Sequence, residues 1–217
     1  MDKQLIELKN KLHRENIQGL ALDIDETLAL TVQHWVEQMQ ILFGNPENLS
    51  SKEIIDKYRY VNDIPYWQGE EVSRWIVSQI ESNEVQKILQ PTLYATAIVN
   101  KIHISLPIVA YISTRIQSTL SGTLEWLNAY NFPTAEIILR PNTDEYRNWN
   151  IWKAEIIEYL YPQVIGIVDD NPNLVNCMSS NYKGTIYLFN FENTIREDIE
   201  VIPCKDWIDV GKKIKKK

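Results

Sequence analysis

Two carboxylates stand two residues apart in segment 22–28, LDIDETL, directly after the apolar run 19–22. Side chains at positions i and i+2 of a strand project from the same face, so Asp23 and Asp25 are expected side by side where the strand ends. Two like charges this close need a cation or a shared proton to offset their repulsion. The pair therefore indicates a site for a hard divalent metal, for acid–base chemistry, or for both.

Composition limits the functions that these carboxylates can serve. The chain has 217 residues, of which 44% are hydrophobic and 24% charged, and its formal net charge is −7. These values are typical of a globular protein, and the acidic balance makes nucleic acid an unlikely partner. No apolar run reaches membrane-spanning length and no signal segment is evident, so we expect a cytoplasmic protein without a membrane partner. Cys177 and Cys204 are expected to be reduced thiols.

Two kinds of pattern organise the chain. A helix is predicted over 3–16 and a first strand over 19–25. Residues 29–92 hold several helical stretches and no convincing strand, and Ser50 or Ser51 with Glu53 marks one helix start. From residue 91 onward helices and strands alternate, with strands predicted at 107–113, 136–139, 164–168 and 185–189. This alternation predicts an α/β fold with a doubly wound parallel sheet, covered on both faces.

Polar residues collect at the ends of three of these strands. Parallel sheets bind ligands beyond the carboxyl ends of their strands. The first strand ends in the two carboxylates described above, and the other two strands run into Ser113, Thr114 and Arg115, and into Asp169 and Asp170. Three strands thus deliver polar groups to one edge of the sheet, which favours a functional site there.

With these motifs in this order, the chain resembles the haloacid dehalogenase superfamily of phosphohydrolases. The motifs are DIDET at 23–27, Ser113 within YISTR, Lys153 on the helix before strand 164–168, and the Asp169-Asp170 pair after that strand. The resemblance covers about residues 17–190, the length of a domain with an insertion. It implies a Rossmann-like α/β core domain formed by 1–28 and 93–217, with a small helical cap domain at 29–92.

The resemblance also implies a chemistry. Asp23 would be a nucleophile that forms an aspartyl-phosphate, and Asp25 would protonate the leaving group and then activate water. Mg²⁺ would be held by the carboxylates of Asp23 and Asp169 and by the main-chain carbonyl of Asp25, which are oxygen ligands that suit this ion. The implied substrate is a small phosphate monoester, either a nucleotide or a sugar phosphate.

The remaining candidates are implied to contact phosphate or to support the site. Ser113 would donate a hydrogen bond to the phosphate, and Lys153 would balance the charge of phosphate and nucleophile. Thr114 and Arg115 join them as substrate-binding candidates, with Arg115 as a clamp for a phosphate or carboxylate. In supporting roles, Asp170 would orient Lys153 or a metal-bound water, and Thr27 would hold the loop.

Taken without the resemblance, several of these residues have plainer interpretations. Ser113 would cap a turn. Lys153 would be a solvated lysine, with Lys183 as a less well placed competitor for the site. Asp170 or Asn171 would only cap a helix that begins at Pro172. Arg140 and Asp144 are interpreted as loop residues.

The helical insertion bears on the substrate. A cap that closes over the site would exclude water and orient a small molecule. Tyr66 and Trp67, beside a proline and a glycine, are our candidates for facing the cleft, and burial in the core of the cap is the competing interpretation.

Other activities fit the same motifs. A phosphotransferase or mutase of the superfamily and a catalytically silent binding protein are the alternatives. Segment 22–28 also resembles carboxy-terminal-domain protein phosphatases, and 112–140 the phosphatase domain of polynucleotide kinases. The sequence leaves the oligomeric state open.

Overall fold

A six-stranded parallel sheet forms the centre of the protein. The structure is a computed structural model that describes residues 3–58, 60–143 and 148–215. The strands are β1 (Gly19–Leu22), β2 (Ile108–Ile116), β3 (Glu136–Arg140), β4 (Val164–Asp169), β5 (Thr185–Phe189) and β6 (Glu200–Cys204). They pair in the order β3-β2-β1-β4-β5-β6, and every pairing is parallel. The predicted doubly wound α/β fold is confirmed.

Ten α-helices accompany the sheet in the described part of the chain. They are α1 (Lys3–Arg14), α2 (Thr31–Phe43), α3 (Ser51–Lys57), α4 (Glu70–Ile80), α5 (Asn83–Ile88), α6 (Ala95–Ser105), α7 (Leu120–Ala129), α8 (Trp149–Leu160), α9 (Pro172–Cys177) and α10 (Trp207–Ile214). Short 3₁₀ turns occupy Val61–Asp63 and Gln117–Thr119. No helix of the described residues is long and apolar enough to cross a bilayer.

Alternation along the strands builds a hydrophobic core on each face of the sheet. In β1, Leu20 and Leu22 point into one core, with α6, α7 and α10, while Ala21 points into the other, with α1, α8 and α9. Because both faces are covered, the central strands β1 and β4 are continuous apolar runs up to their ends rather than alternating with polar residues. Polar side chains can therefore reach solvent or a ligand mainly at the ends of the strands.

The helical region between β1 and β2 has a core of its own. Its buried residues are Val36, Met39, Ile54, Val61, Ile64, Trp67 and Val72. The predicted capping box at the start of α3 is present, with Ser50 accepting from the Glu53 amide and Glu53 accepting from the Ser50 amide. Helix α5 instead packs against α7, and Leu89 joins the core under the sheet. The domain boundaries at 29–92 stay a prediction.

Two elements at the C-terminal end were not predicted from the sequence. Strand β6 reads EVIPC, in which a proline interrupts a half-buried run, and it lies at the edge of the sheet, where a missing amide is tolerated. Helix α10 follows, with the Asp206 side chain accepting from the Asp209 amide at its start. Its buried Trp207 and Val210 close one face of the sheet.

Candidate metal and phosphate site

The site lies where β1, β2 and β4 end. The chain winds outward from β1 to β3 on one side and from β4 to β6 on the other, so the crevice of the sheet opens beside β1. The Asp23 amide donates to Val168 O at 2.9 Å, which keeps the chain in register with β4 just beyond β1. A tight loop follows, in which the amides of Leu28 and Ala29 both donate to Ile24 O at 2.8 Å. Asp23 is therefore fixed by the sheet itself, and the residues after it by a closed turn.

Three carboxylates converge at this point. Asp23, Asp169 and Asp170 each place a carboxylate oxygen within 4.8 Å of the others. Asp23 is 5% exposed and Asp169 is fully buried. The Thr27 hydroxyl lies between Asp23 and Asp170, at 3.4 Å from Asp23 Oδ2 and 3.3 Å from Asp170 Oδ1, and it accepts from the Asp170 amide at 3.1 Å. The structure thus brings Thr27 and Asp170, both proposed as supporting residues, into the acidic cluster.

Lys153 supplies the positive charge inside this cluster. It projects from α8, where Asn148 caps the first turn, and its Nζ contacts Asp23 Oδ1 and lies 2.5 Å from Asp169 Oδ2. Burial opposes the ammonium charge, but Asp169 and Asp23 outweigh it and raise the pKa of Lys153. Lys183, the alternative lysine, is exposed on the surface. The lysine of the cluster is therefore permanently charged at neutral pH.

One ammonium group does not neutralise three carboxylates. Burial raises the pKa of Asp23 to about 7, Lys153 lowers it in part, and repulsion by Asp169 and Asp25 adds to the rise. Burial and the charges of Asp23 and Asp169 likewise raise the pKa of Asp170. Such an excess of negative charge, presented by hard oxygen donors, fits a small divalent cation such as Mg²⁺. The ligands in reach are the carboxylates of Asp23, Asp169 and Asp170.

Asp25 has different partners from Asp23. Arg115 holds its carboxylate with two donors, Nη2 at 2.8 Å from Oδ1 and Nε at 3.0 Å from Oδ2, and Thr31 Oγ1 donates to it as well. Burial favours the neutral acid, but Arg115 and Thr31 prevail and lower the pKa of Asp25. The side chain of Asp25 remains 31% exposed and lies outside the three-carboxylate cluster. The two aspartates of the sequence motif thus have different counter-charges, Lys153 for Asp23 and Arg115 for Asp25.

The residues predicted to follow the second strand lie within it. Strand β2 continues to Ile116 rather than ending near residue 113, so Ser113, Thr114 and Arg115 are strand residues. Ser113 is buried and its Oγ accepts from the Arg115 amide at 3.2 Å. The Arg115 guanidinium is 3% exposed and also donates to Thr123 Oγ1 at 3.2 Å. Arg115 is therefore an ion-pair partner of Asp25. Of Ser113, Thr114 and Arg115, only Thr114 is partly exposed.

A cleft of about 460 Å³ opens between the sheet edge and the helical region. Asp25, Arg115 and Thr114 contribute to its floor, and Trp35 contributes from α2. Trp67 is not in this cleft, because it is 2% exposed and its Nε1 donates to Gly44 O at 2.9 Å inside the core of the helical region. Tyr66 packs edge-on against Trp67 and Tyr58 rather than lining the cleft. The expectation for Tyr66 and Trp67 is wrong: the aromatics beside a proline and a glycine serve the core of the helical region.

Some residues of the cleft were missed or misjudged from the sequence. Arg140 is the last residue of β3, not a loop residue, and it lines the cleft with its guanidinium 4.7 Å from the centre of the Trp149 ring. Asp144 lies outside the described residues. Glu26 accepts from the Val32 amide at 2.6 Å at the start of α2, and burial raises its pKa to about 7. The Glu26 side chain thus links the loop after β1 to the start of α2, a contact that no local sequence pattern indicates.

Comparisons with known proteins find similar solved structures but no sequence family. No protein-family model matches the chain, and no curated protein matches it significantly. A solved structure of a Had-superfamily hydrolase from Ehrlichia chaffeensis aligns with it at a TM-score of 0.49 and 12% sequence identity. The alignment covers 92% of this chain and 98% of that one. The functional assignment therefore rests on the geometry of the acidic cluster and the cleft.

Proposed function

We propose that the protein is a phosphomonoesterase of the haloacid dehalogenase type that requires a divalent cation, with Asp23 as the nucleophile. The observation that carries the proposal is the cluster of Asp23, Asp169 and Asp170 around Lys153 at the crevice of the sheet. Burying several like charges together destabilises a protein, and such clusters are found mainly where they bind a ligand or take part in a reaction. A bound Mg²⁺ would draw charge from the phosphoryl oxygens and so allow a carboxylate to approach phosphorus.

The chain's own residues would carry out the two displacements. Asp23 is held by Lys153 and the sheet, so one of its oxygens can attack phosphorus in line with the departing oxygen. The bond between phosphorus and the leaving oxygen breaks as the Asp23–phosphorus bond forms. Water then attacks phosphorus, releases inorganic phosphate and regenerates the Asp23 carboxylate. Lys153 stays charged throughout and stabilises the negative charge on the phosphoryl group.

Asp25 would move the protons in this scheme. In the ionised form that Arg115 favours, it is ready to accept a proton from the attacking water. In the first displacement Asp25 must carry a proton and pass it to the leaving oxygen, and the contact with Arg115 opposes this protonated state. Substrates whose leaving oxygen departs without a proton should therefore react faster than alkyl phosphates.

Hydrolysis of p-nitrophenyl phosphate and a panel of alkyl phosphate monoesters, with MgCl₂ or with EDTA, tests the proposal. We expect release of inorganic phosphate in MgCl₂, loss of at least a hundredfold in EDTA, and a similar loss in Asp23→Asn. Asp198→Asn is the matched control, because Asp198 is an exposed partner of Arg196 and precedes β6, at the opposite ends of the strands from the cluster. Equal rates in MgCl₂ and EDTA, or full activity of Asp23→Asn, would contradict the proposed function.

A further inference from the structure

One cation of the cleft lacks an acidic partner in the described part of the chain. Arg140 ends β3 and lines the cleft with a half-buried side chain, and its Nε donates to the uncharged Thr114 O at 2.9 Å. Glu81 borders a neighbouring cavity together with Arg140 but forms no ion pair with it. Arg115, by contrast, is paired with Asp25 in the same cleft. The charge of Arg140 is therefore not balanced by any described carboxylate.

Local structure fixes the orientation of the Arg140 guanidinium. The pairing of β2 with β3 is irregular between Ser113 and Ile116, so Thr114 lies outside the regular ladder and its carbonyl can accept from Arg140. Trp149 covers one face of the guanidinium, with 4.7 Å between Cζ and the ring centre. Because Nε and one face are occupied, the edge that carries Nη1 and Nη2 is the part left for a ligand.

Asn150, the residue after Trp149, supplies a neutral donor to the same cleft. The Asn173 amide donates to Asn171 Oδ1 at 2.9 Å, so Nδ2 is the end of the Asn171 side chain that donates to Asn150 Oδ1, at 3.0 Å. This contact turns Asn150 Nδ2 away, and that atom has no acceptor among the residues that the structure describes. The Asn150 side chain is half-buried at the cleft. A guanidinium edge and an amide NH₂ group both donate only, which suits an anionic ligand.

Arg140 lies to one side of the acidic cluster. Asp23 follows β1 and Arg140 ends β3, with β2 between these strands. Neighbouring strands are about 4.8 Å apart, so the two main-chain positions are separated by roughly 10 Å across the sheet. A ligand whose reacting phosphate lies at Asp23 thus needs a further anionic group to contact Arg140.

We infer that Arg140 and Asn150 bind a second anionic group of the substrate, a carboxylate or a second phosphate, on the β3 side of the cleft. Arg140 contributes its charge and two donors arranged as a fork, and Asn150 contributes one neutral donor. The inference rests on the proposed phosphomonoesterase function and adds a substrate class to it. That class is phosphate monoesters that carry another anionic group.

Two pairs of substrates test this inference, because the members of each pair share one phosphate ester and differ at the opposite end. 6-Phosphogluconate has a carboxylate where sorbitol 6-phosphate has a hydroxymethyl group, and fructose 1,6-bisphosphate has a phosphate where fructose 6-phosphate has a hydroxyl group. We expect the more anionic member of at least one pair to exceed its partner by about tenfold or more in kcat/KM. A preference in the first pair alone identifies a carboxylate as the ligand of Arg140, and one in the second pair alone identifies a phosphate.

Arg140→Gln and Asn150→Asp should each reduce this preference about tenfold. The first keeps a donor for Thr114 O and removes the charge, whereas the second keeps an acceptor for Asn171 and adds a negative charge that repels the ligand. Arg74→Gln is the matched control, because Arg74 is exposed on α4 outside the cleft and its Nε also donates to a main-chain carbonyl, at 3.4 Å. Equal losses for both members of a pair in Arg140→Gln would overturn the inference, since Arg140 would then act on the shared phosphate or on the fold.

A binding measurement separates this inference from the proposed function. In Asp23→Asn with MgCl₂, calorimetry should show tighter binding of the more anionic member than of its partner, and Arg140→Gln in that background should remove the difference. Equal affinities within both pairs would overturn the inference even if the protein is a phosphatase. If no monoester is hydrolysed, the proposed function fails, and the difference in affinity alone decides whether Arg140 and Asn150 form an anion site.

Discussion

Removing the charge of Lys153 should destabilise the metal-free protein strongly. Lys153 is 3% exposed, and its ammonium group contacts two carboxylates, on Asp23 and Asp169, that are themselves buried. Lys153→Met keeps the volume and the apolar stem but leaves two buried charges without their counter-ion. Breaking a buried pair in this way costs about 3–5 kcal/mol in the free energy of unfolding. With a urea m-value of about 2 kcal/mol/M, the unfolding midpoint should fall by about 2 M.

Two conditions should reduce this loss, since both supply positive charge to the cluster. Saturating MgCl₂ should restore part of the stability, because a cation bound by the carboxylates replaces some of the missing charge. Lower pH should act in the same direction. The pKa of Asp23 is already raised from 3.8 to about 7, although the Lys153 charge lowers it in part. Lys153→Met removes that lowering effect, so the pKa of Asp23 should rise further in the variant. The folded state then binds more protons than the unfolded state, and stability falls as pH rises through that pKa.

Urea unfolding followed by circular dichroism, in EDTA at about pH 6 and about pH 8, measures both effects. Lys183→Met is the control, because Lys183 is exposed, and its change should stay within about 0.5 kcal/mol. If Lys153→Met lost less than about 1 kcal/mol at the higher pH, Lys153 would not be the essential counter-charge of the cluster.

Three further variants test other contacts of the site. Asp170→Asn should raise the urea midpoint in EDTA and weaken Mg²⁺ binding by calorimetry, because burial and neighbouring carboxylates disfavour the Asp170 charge; a lower midpoint in EDTA would contradict this. Asp25→Asn should slow hydrolysis of alkyl phosphates more than that of p-nitrophenyl phosphate, and equal losses of kcat would remove Asp25 from proton transfer to the leaving group. Trp207→Phe should cost about 1–3 kcal/mol in unfolding free energy, because Trp207 Nε1 donates to Thr27 O at 2.9 Å and to Thr92 Oγ1 at 3.0 Å; an unchanged midpoint would refute that contribution.

The sheet was predictable because its strands are buried on both faces and therefore read as short apolar runs between helices. Strand β4, for example, is apolar up to Asp169, so its end and its polar residue are both visible in the sequence. Strand β6 was not predictable, since an edge strand with Pro203 needs less hydrophobic surface and carries no clear period. The order of strands, which places β1 between β2 and β4, follows from chain winding rather than from any local pattern.

The acidic cluster was predictable as a set of strand ends, but the partners of each carboxylate were not. Nothing in the sequence indicates that Arg115 faces Asp25 rather than a ligand, because that contact joins residues 90 positions apart. The aromatic residues of the cleft show the same limit. Trp67, in a loop, and Trp35, within α2, both belong to the helical region, yet packing of that region buries the first and leaves the second at the cleft.

The most direct test of the account is to locate the phosphoryl group on the enzyme. After rapid mixing with p-nitrophenyl phosphate and MgCl₂ and an acid quench, peptide mass spectrometry should find one phosphoryl group on the peptide that contains Asp23. The modification should be absent in EDTA and in Asp23→Asn. A phosphoryl group on any other residue during turnover would contradict the claim that Asp23 is the nucleophile.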